Sequence, residues 1–491
     1  MDSTPTRKPD RLKRIAEESD RMKTKPNWIV LAALAAGTAG CVSPQPMDDS
    51  RGVSTSPVAA AHTSSAGATF ANLPPLGQNA GLPDYLAYAA LNNAGLEAAY
   101  DRWQAVMEKI PQARALPDPR LSYGHFIRSV ETRVGPQQHR VGVAQSFPWL
   151  GKRGLRGDVA TQEAHASYQE YEAAKLRLFY NVKSTWFELA YLHRAIEITE
   201  NNLSLLKDLE KVAQTKVRGG SGLAGVAKAQ VELGKLEDQK RSLLDFRQPL
   251  AAKLNAALSR PANSLIAFPK SIAVSSRQLD EQRLLEWLAE TNPELRGLEA
   301  QIAKEQKGVE LAGKDYFPDV TVGVDYTQTD GALAPGVRDN GKDPVMATVS
   351  INIPLWRKKY DAALRAAEHR RSANKNRLQN RANLLRADLK MALYKFQDAE
   401  RKIDLYRDTL TPLAEQSLEI AQQSWESGKA DFLNLIDAER LLLEFQLQIE
   451  RARANREQRL AEIEMLVGRE LPDSASDASP PGTLSNPHPA P

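Results

Sequence analysis

Residues 317–327 read FPDVTVGVDYT, and the alternation within that stretch decides how the rest of the chain is read. Val320, Val322, Val324 and Tyr326 fall on one side of an extended strand and Thr321, Gly323, Asp325 and Thr327 on the other, because successive strand side chains point to opposite faces. A second such segment follows, in which Val345, Ala347, Val349, Ile351 and Ile353 alternate with Met346, Thr348, Ser350 and Asn352. Period-two segments of about 9–11 residues suit a transmembrane barrel strand, apolar toward lipid and polar toward a lumen. Alternation alone equally describes a soluble hairpin with one buried face.

Outward from these strands the pattern turns helical. From Ala362 to Glu426 no Gly occurs and the only Pro is Pro412, which predicts one kinked helix extending roughly 90 Å at 1.5 Å per residue. After Gly428 the chain reverses. The next helix carries Leu435, Ala438, Leu442, Phe445, Ile449 and Ala452, whose spacing alternates three and four as in a coiled-coil seam. Long paired helices joined by a glycine turn make a rod or a barrel, not a compact globule.

The whole arrangement occurs twice. Asn93 with Leu96, Leu116-Pro117-Asp118, Phe147-Pro148-Trp149, Gly219 and Ala229-Gln230-Val231-Glu232-Leu233 are followed in order by a second set. That set is Asn292 with Leu295, Phe317-Pro318-Asp319, Ile353-Pro354-Leu355, Gly428 and Ala438-Glu439-Arg440-Leu441-Leu442, at an offset of about 200 residues. Each half reads as helix, two strands, then two long helices. The first-half strands are noisier: Val141 and Val143 oppose Gly142, Ala144 and Ser146, while Leu121, Tyr123 and Ile127 alternate imperfectly with Ser122, Gly124 and Arg128. The predicted repeats are 83–262 and 280–471.

Composition supports an extended helical architecture and argues against chemistry. The chain has 491 residues with 6% aromatics and 26% charged residues, a balance that suits long amphipathic helices. Lys plus Arg number 65 against 61 Asp plus Glu, so nothing points to a nucleic-acid partner. There is no Walker-type phosphate loop, no His-Glu-x-x-His and no Gly-x-Ser-x-Gly. Gly219-Gly220-Ser221-Gly222 follows a helix and reads as a turn. The seven histidines are scattered, so no enzyme, cofactor or metal ligand set is expected.

The N-terminus reads as a secretory leader, 1–40, with Met22 a candidate true start. Lys23 and Lys25 precede an apolar run from Trp28 to Ala39, too short for a permanent span, and Thr38, Ala39 and Gly40 lead into Cys41, the sole cysteine. The segment resembles a bacterial lipobox, which implies acylation of Cys41; Val42 stands where an Asp would signal inner-membrane retention. Residues 41–80 are rich in Ser, Thr, Ala, Pro and Gly and read as a flexible tether, and 472–491 as a disordered tail.

Four strands cannot close a barrel, and an open sheet edge in lipid leaves backbone amides unsatisfied at several kcal/mol each. Two copies would give only the minimal barrel. Three copies give twelve strands, enough to enclose a lumen, so the expected fold is mainly α with a transmembrane β part, built as a homotrimer.

Over about residues 83–471 the repeat, element order and local motifs resemble the TolC-type outer-membrane efflux family. The resemblance implies a periplasmic α-barrel of coiled-coil helices, a 12-stranded trimeric β-barrel, and an exit duct serving an inner-membrane pump through a periplasmic adaptor. Gly219, Gly220 and Gly428 would be the adaptor-contacting tips, and Gly225, Asn434 and Asp437 the candidate pore entrance. Family tips often carry Asp where Gly225 and Asn434 stand; whether Asp437 faces the lumen or solvates a helix stays open. Phe147-Pro148-Trp149-Leu150-Gly151-Lys152-Arg153 is similar to ducts that serve heavy-metal pumps. The implied location is the outer membrane, lipid-anchored. The rival reading, a periplasmic coiled-coil adaptor or structural lipoprotein, leaves the duplication and the strand pairs unexplained.

Overall fold

The computed structural model describes residues 76–472, apart from 78, 218–222, 270, 271, 273–276 and 278. The leader, Cys41, most of the tether, Gly219, Gly220 and nearly all of the tail lie outside the described residues.

Two runs of elements follow one plan. The first is α1 (Leu82–Asn92), α2 (Ala94–Met107), α3 (Lys109–Arg114), β1 (Arg120–His125), β2 (Gln137–Phe147), α4 (Lys152–Val217) and α5 (Leu223–Ala257). The second is α6 (Glu281–Thr291), α7 (Pro293–Lys314), β3 (Val320–Thr329), β4 (Val345–Ile351), α8 (Arg357–Leu405), a π turn (Tyr406–Leu410), α9 (Thr411–Glu426) and α10 (Phe432–Val467). With 66 residues, α4 is roughly 100 Å long at 1.5 Å per residue.

The repeated Asn landmarks have a physical basis. Asn93 Oδ1 accepts from Leu96 N–H at 2.8 Å, capping α2, while its Nδ2 donates to Ala257 O at 2.9 Å, at the end of α5. Asn292 does the same in the second repeat, capping α7 through Leu295 N–H at 3.1 Å and reaching Leu466 O at 2.7 Å near the end of α10. One side chain thus satisfies an orphan helix-start amide and an orphan helix-end carbonyl, closing each repeat on itself.

The four strands form one antiparallel sheet in the order β1-β2-β3-β4, so the central β2·β3 pair joins the repeats. Cross-strand register aligns their faces. Leu121, Val143, Val324 and Ala347 form one row, and Tyr123, Val141, Tyr326 and Val345 another, all on the same face. The opposite face carries Ser122, Gly142, Asp325 and Met346 in one row. There Arg140 pairs with Asp325 at 3.0 Å, and a Cβ on Gly142 would lie 2.2 Å from Asp325 Oδ1. The noisy first-half alternation therefore resolves once its partners are known.

Three expected boundaries move. β1 ends at His125, short of Ile127, because Phe126 N–H makes the last bond toward β2, to Gln138 O at 3.0 Å. β4 ends at Ile351; beyond it Asn352 N–H donates to Asp319 O at 3.3 Å, while the Asn352 side chain, in place of its backbone carbonyl, accepts from Asp319 N–H. The helix expected to kink at Pro412 begins at Arg357 and changes to a π turn at Tyr406–Leu410, just before that proline, where the missing proline donor and its ring disrupt the α ladder.

Among the described residues three apolar clusters hold the helices together. One lies within the first repeat around Tyr85, Leu189 and Leu254, and one within the second around Leu288, Phe396 and Ile463. The third, around Ala229, Trp425, Phe432 and Leu435, draws from both repeats where the helical hairpins turn. Among the described residues no helix is long and apolar enough to cross a membrane.

Candidate functional site

Two regions collect the residues singled out by sequence: the hairpin ends and the strand-to-helix junctions. At the second hairpin end, Gly428 has φ +73, left-handed, with open space where a Cβ would sit. The turn is closed by Lys429 and Ala430 N–H donating to Ser424 O at 2.8 and 3.1 Å. Phe432, the first residue of α10, is buried with its ring 5.0 Å from that of Trp425.

The candidate entrance residues separate. Gly225 is buried, and a Cβ there would lie 3.0 Å from Phe432 Cβ and Cδ1. Close packing against α10 therefore accounts for the glycine, which presents no side chain to an opening. Asn434 is exposed on the first turn of α10, its N–H donating to Asp431 O at 3.1 Å. Asp437, also exposed, accepts from Lys228 Nζ of α5 at 3.0 Å and lies 3.9 Å from Arg440. Its charge is locally compensated, and the pair ties the two hairpins together.

Sequence reasoning passed over Glu439. It is 4% exposed, and neither carboxylate oxygen has a hydrogen-bond partner among the described residues. Burial pushes its pKa up from 4.5 to about 7. It lines a groove of about 410 Å³ between α4 and α10 with Arg194, Asn202, Gln446 and Glu450. A sequence signal existed: Leu435, Glu439, Leu442 and Gln446 keep the same three-and-four spacing as the expected seam, so two of four inward positions on that line are polar.

At the junction, Lys152 is buried and donates from Nζ to Asp319 Oδ1 at 2.8 Å and to Phe317 O at 3.0 Å. Trp149 N–H donates to the same Asp319 oxygen at 2.8 Å, and its ring stacks on Phe317 at 5.3 Å and 13°. The Phe-Pro-Trp motif of one repeat thus meets the Phe-Pro-Asp motif of the other. Two histidines that looked scattered also meet: His125 and His139 are cross-strand partners, with Nδ1 atoms 3.2 Å apart. Among the described residues, no group of three or more His, Cys, Asp or Glu is placed to hold a metal ion.

Residues 284–469 match the family model described as Outer membrane efflux protein. Over 392 residues the chain is 24% identical to the cobalt-zinc-cadmium resistance protein CzcC of Cupriavidus metallidurans, covering 78% of this chain and 89% of that one. In fold it is similar to the outer membrane protein VceC of Vibrio cholerae, with a TM-score of 0.67 at 20% identity, covering 79% of this chain and 96% of that one. It is also similar to the open state of the Neisseria gonorrhoeae MtrE outer membrane channel, with a TM-score of 0.66 at 16% identity over 79% and 89% of the two chains. The helices and strands that build the hairpin ends and the junction thus share the fold of outer-membrane channels, and residues 284–469 carry the domain of the outer membrane efflux protein family, a family of transport channels and not of enzymes.

Proposed function

We propose that this chain is the exit duct of a tripartite efflux system, carrying substrate delivered by an inner-membrane pump and a periplasmic adaptor across the outer membrane. The observation that carries this reading is the sheet: one continuous apolar face with Leu121 and Val349 more than 70% exposed, and two edge strands, β1 and β4, each unpaired on one side. Lipid suits the face, and closure with other copies suits the edges. Three chains would supply twelve strands. Leu413 and Ile420 of α9, with Met391 and Tyr394 of α8, are more than half exposed, apolar surface that association would cover.

In this reading the hairpin ends around Gly219, Gly220 and Gly428 receive the adaptor, while Asn434 and Asp437 edge the entrance, which opens by outward movement of the helix pairs. Cys41 carries the lipid that holds the chain at the outer membrane. Similarity to the cobalt-zinc-cadmium resistance protein supports the heavy-metal branch, with selection made by the pump. Native mass spectrometry of the detergent-extracted protein should show three chains, each with acyl mass on Cys41. A stable monomer with full strand content sinks the duct reading, and a mature N-terminus without lipid sinks the anchor.

A further inference from the structure

The two repeats are equivalent at the level of backbone register. When Asp118 is laid on Asp319 and Phe147 on Ile353, the observed pair Leu121↔Val143 becomes the observed pair Val322↔Val349. Likewise Tyr123↔Val141 becomes Val324↔Ala347, also observed. A slip of one residue would turn every side chain to the other face, so agreement at both rungs makes the hairpins structural copies.

This equivalence exposes an asymmetry. β2 finds β3 within the chain, and their junction is closed by Lys152 on Asp319 and Trp149 on Phe317. The equivalents of β2 and β3 are β4 and β1, and these are the two sheet edges. The junction parts recur on them: Lys358 holds the place of Lys152, Asp118 that of Asp319, Leu355 that of Trp149 and Leu116 that of Phe317. Within one chain they remain unused. Asp118 and Lys358 are exposed and, among the described residues, their side chains make no hydrogen bond or ion pair, and Leu116 and Leu355 are 37% and 71% exposed.

We infer that these are the two halves of a junction between subunits, in which β4 and Lys358 of one protomer meet β1 and Asp118 of a second copy of this chain. The inference rests on the trimeric duct reading and adds which residues meet. Carrying the β2·β3 register across sets Ile351 opposite the partner subunit's Leu121 and Val349 opposite the partner subunit's Tyr123, antiparallel. Lys358 then pairs with the partner subunit's Asp118, and Leu355 covers the partner subunit's Leu116. The faces provide an independent check. Ile351 and Val349 share the apolar face with Val320 and Val322, and Leu121 and Tyr123 share it with Val143 and Val141. The transferred register therefore continues one apolar face around the ring, whereas a slip of one residue would set Ser350 among apolar neighbours.

Cysteine pairs in the full-length protein test the register, with the wild-type chain, whose sole cysteine is Cys41, as background control. Opposed residues approach most closely at non-hydrogen-bonded positions, which alternate along a ladder. One of the two combinations Ile351→Cys with Leu121→Cys, or Ser350→Cys with Ser122→Cys, should therefore give oxidation-dependent covalent species up to three chains. Ile351→Cys with Tyr123→Cys, two residues out of register, should give at least tenfold less. Asp118→Lys and Lys358→Asp should each lower the temperature at which the oligomer dissociates, and the double exchange should restore it. Native trimers that cross-link best out of register, or that show no rescue by the double exchange, overturn this junction and leave the trimer standing. A wild-type chain that forms no trimer overturns the duct reading itself.

Discussion

Lys152 Nζ lies 2.8 Å from Asp319 Oδ1, a bond between residues 167 positions apart that fastens the first repeat's strand-to-helix turn to the start of β3. The lysine side chain is 4% exposed and the aspartate 30%, so removing the cation leaves a half-buried carboxylate with only the Trp149 amide. Lys152→Met should cost on the order of 1–3 kcal/mol. Asp319→Asn keeps an acceptor for that amide and should cost less. Thermal unfolding followed by circular dichroism in detergent measures both; equal stability in Lys152→Met would show that the bond does not hold the repeats.

Glu439 predicts a pH dependence of definite sign. Its carboxyl is raised from 4.5 to about 7 by burial, so the folded chain holds this proton more tightly than the unfolded chain. The contribution is favourable below pH 4.5, is lost as pH rises through about 7, and stays lost above it; the span is at most about 3 kcal/mol. Glu439→Gln keeps the shape and cannot ionise. The difference in stability between wild type and Glu439→Gln should be near zero at pH 4.5 and favour the variant at pH 8. A flat difference across that range would mean the carboxylate has found a partner.

The two hairpin-end glycines should fail for different reasons. Gly428 has open space but φ +73, so Gly428→Leu strains the backbone by about 1–2 kcal/mol, whereas Gly428→Asn is better tolerated in that conformation. Gly225→Leu meets Phe432 at 3.0 Å and should loosen the contact between α5 and α10. Hydrogen exchange should rise at the start of α10 in Gly225→Leu and stay confined to the turn in Gly428→Leu. In the proposed duct, Gly428→Leu should bind the adaptor more weakly in pull-down while the trimer persists.

Asp437 is matched by Lys228 at 3.0 Å, so in the proposed duct the entrance that Asp437 edges should bind trivalent cations weakly. Lys228→Ala frees the carboxylate and should tighten block from the tip side by no more than about fivefold, the scale of an exposed ion pair. Asp437→Ala should abolish that gain. Planar-bilayer conductance reads the block; tight block of the wild type that persists in Asp437→Ala would place the cation elsewhere.

The chain's own pattern carried much of this architecture. Val320 through Tyr326 alternate at period two, Leu435 through Ala452 repeat at three and four, and Gly428 marks the reversal between helices; each signal is local, written within the residues that form the element. The repeat landmarks were legible because Asn93 and Asn292 perform the same double capping in each half.

Only the tertiary structure decided which strands share a rung, where Lys152 finds its carboxylate, that Glu439 is sealed from water while Asp437 is paired, and that Gly225 lies beneath Phe432. These depend on register and packing between segments that are distant in sequence. Local periodicity states which side of an element is apolar, but not what comes to lie against it.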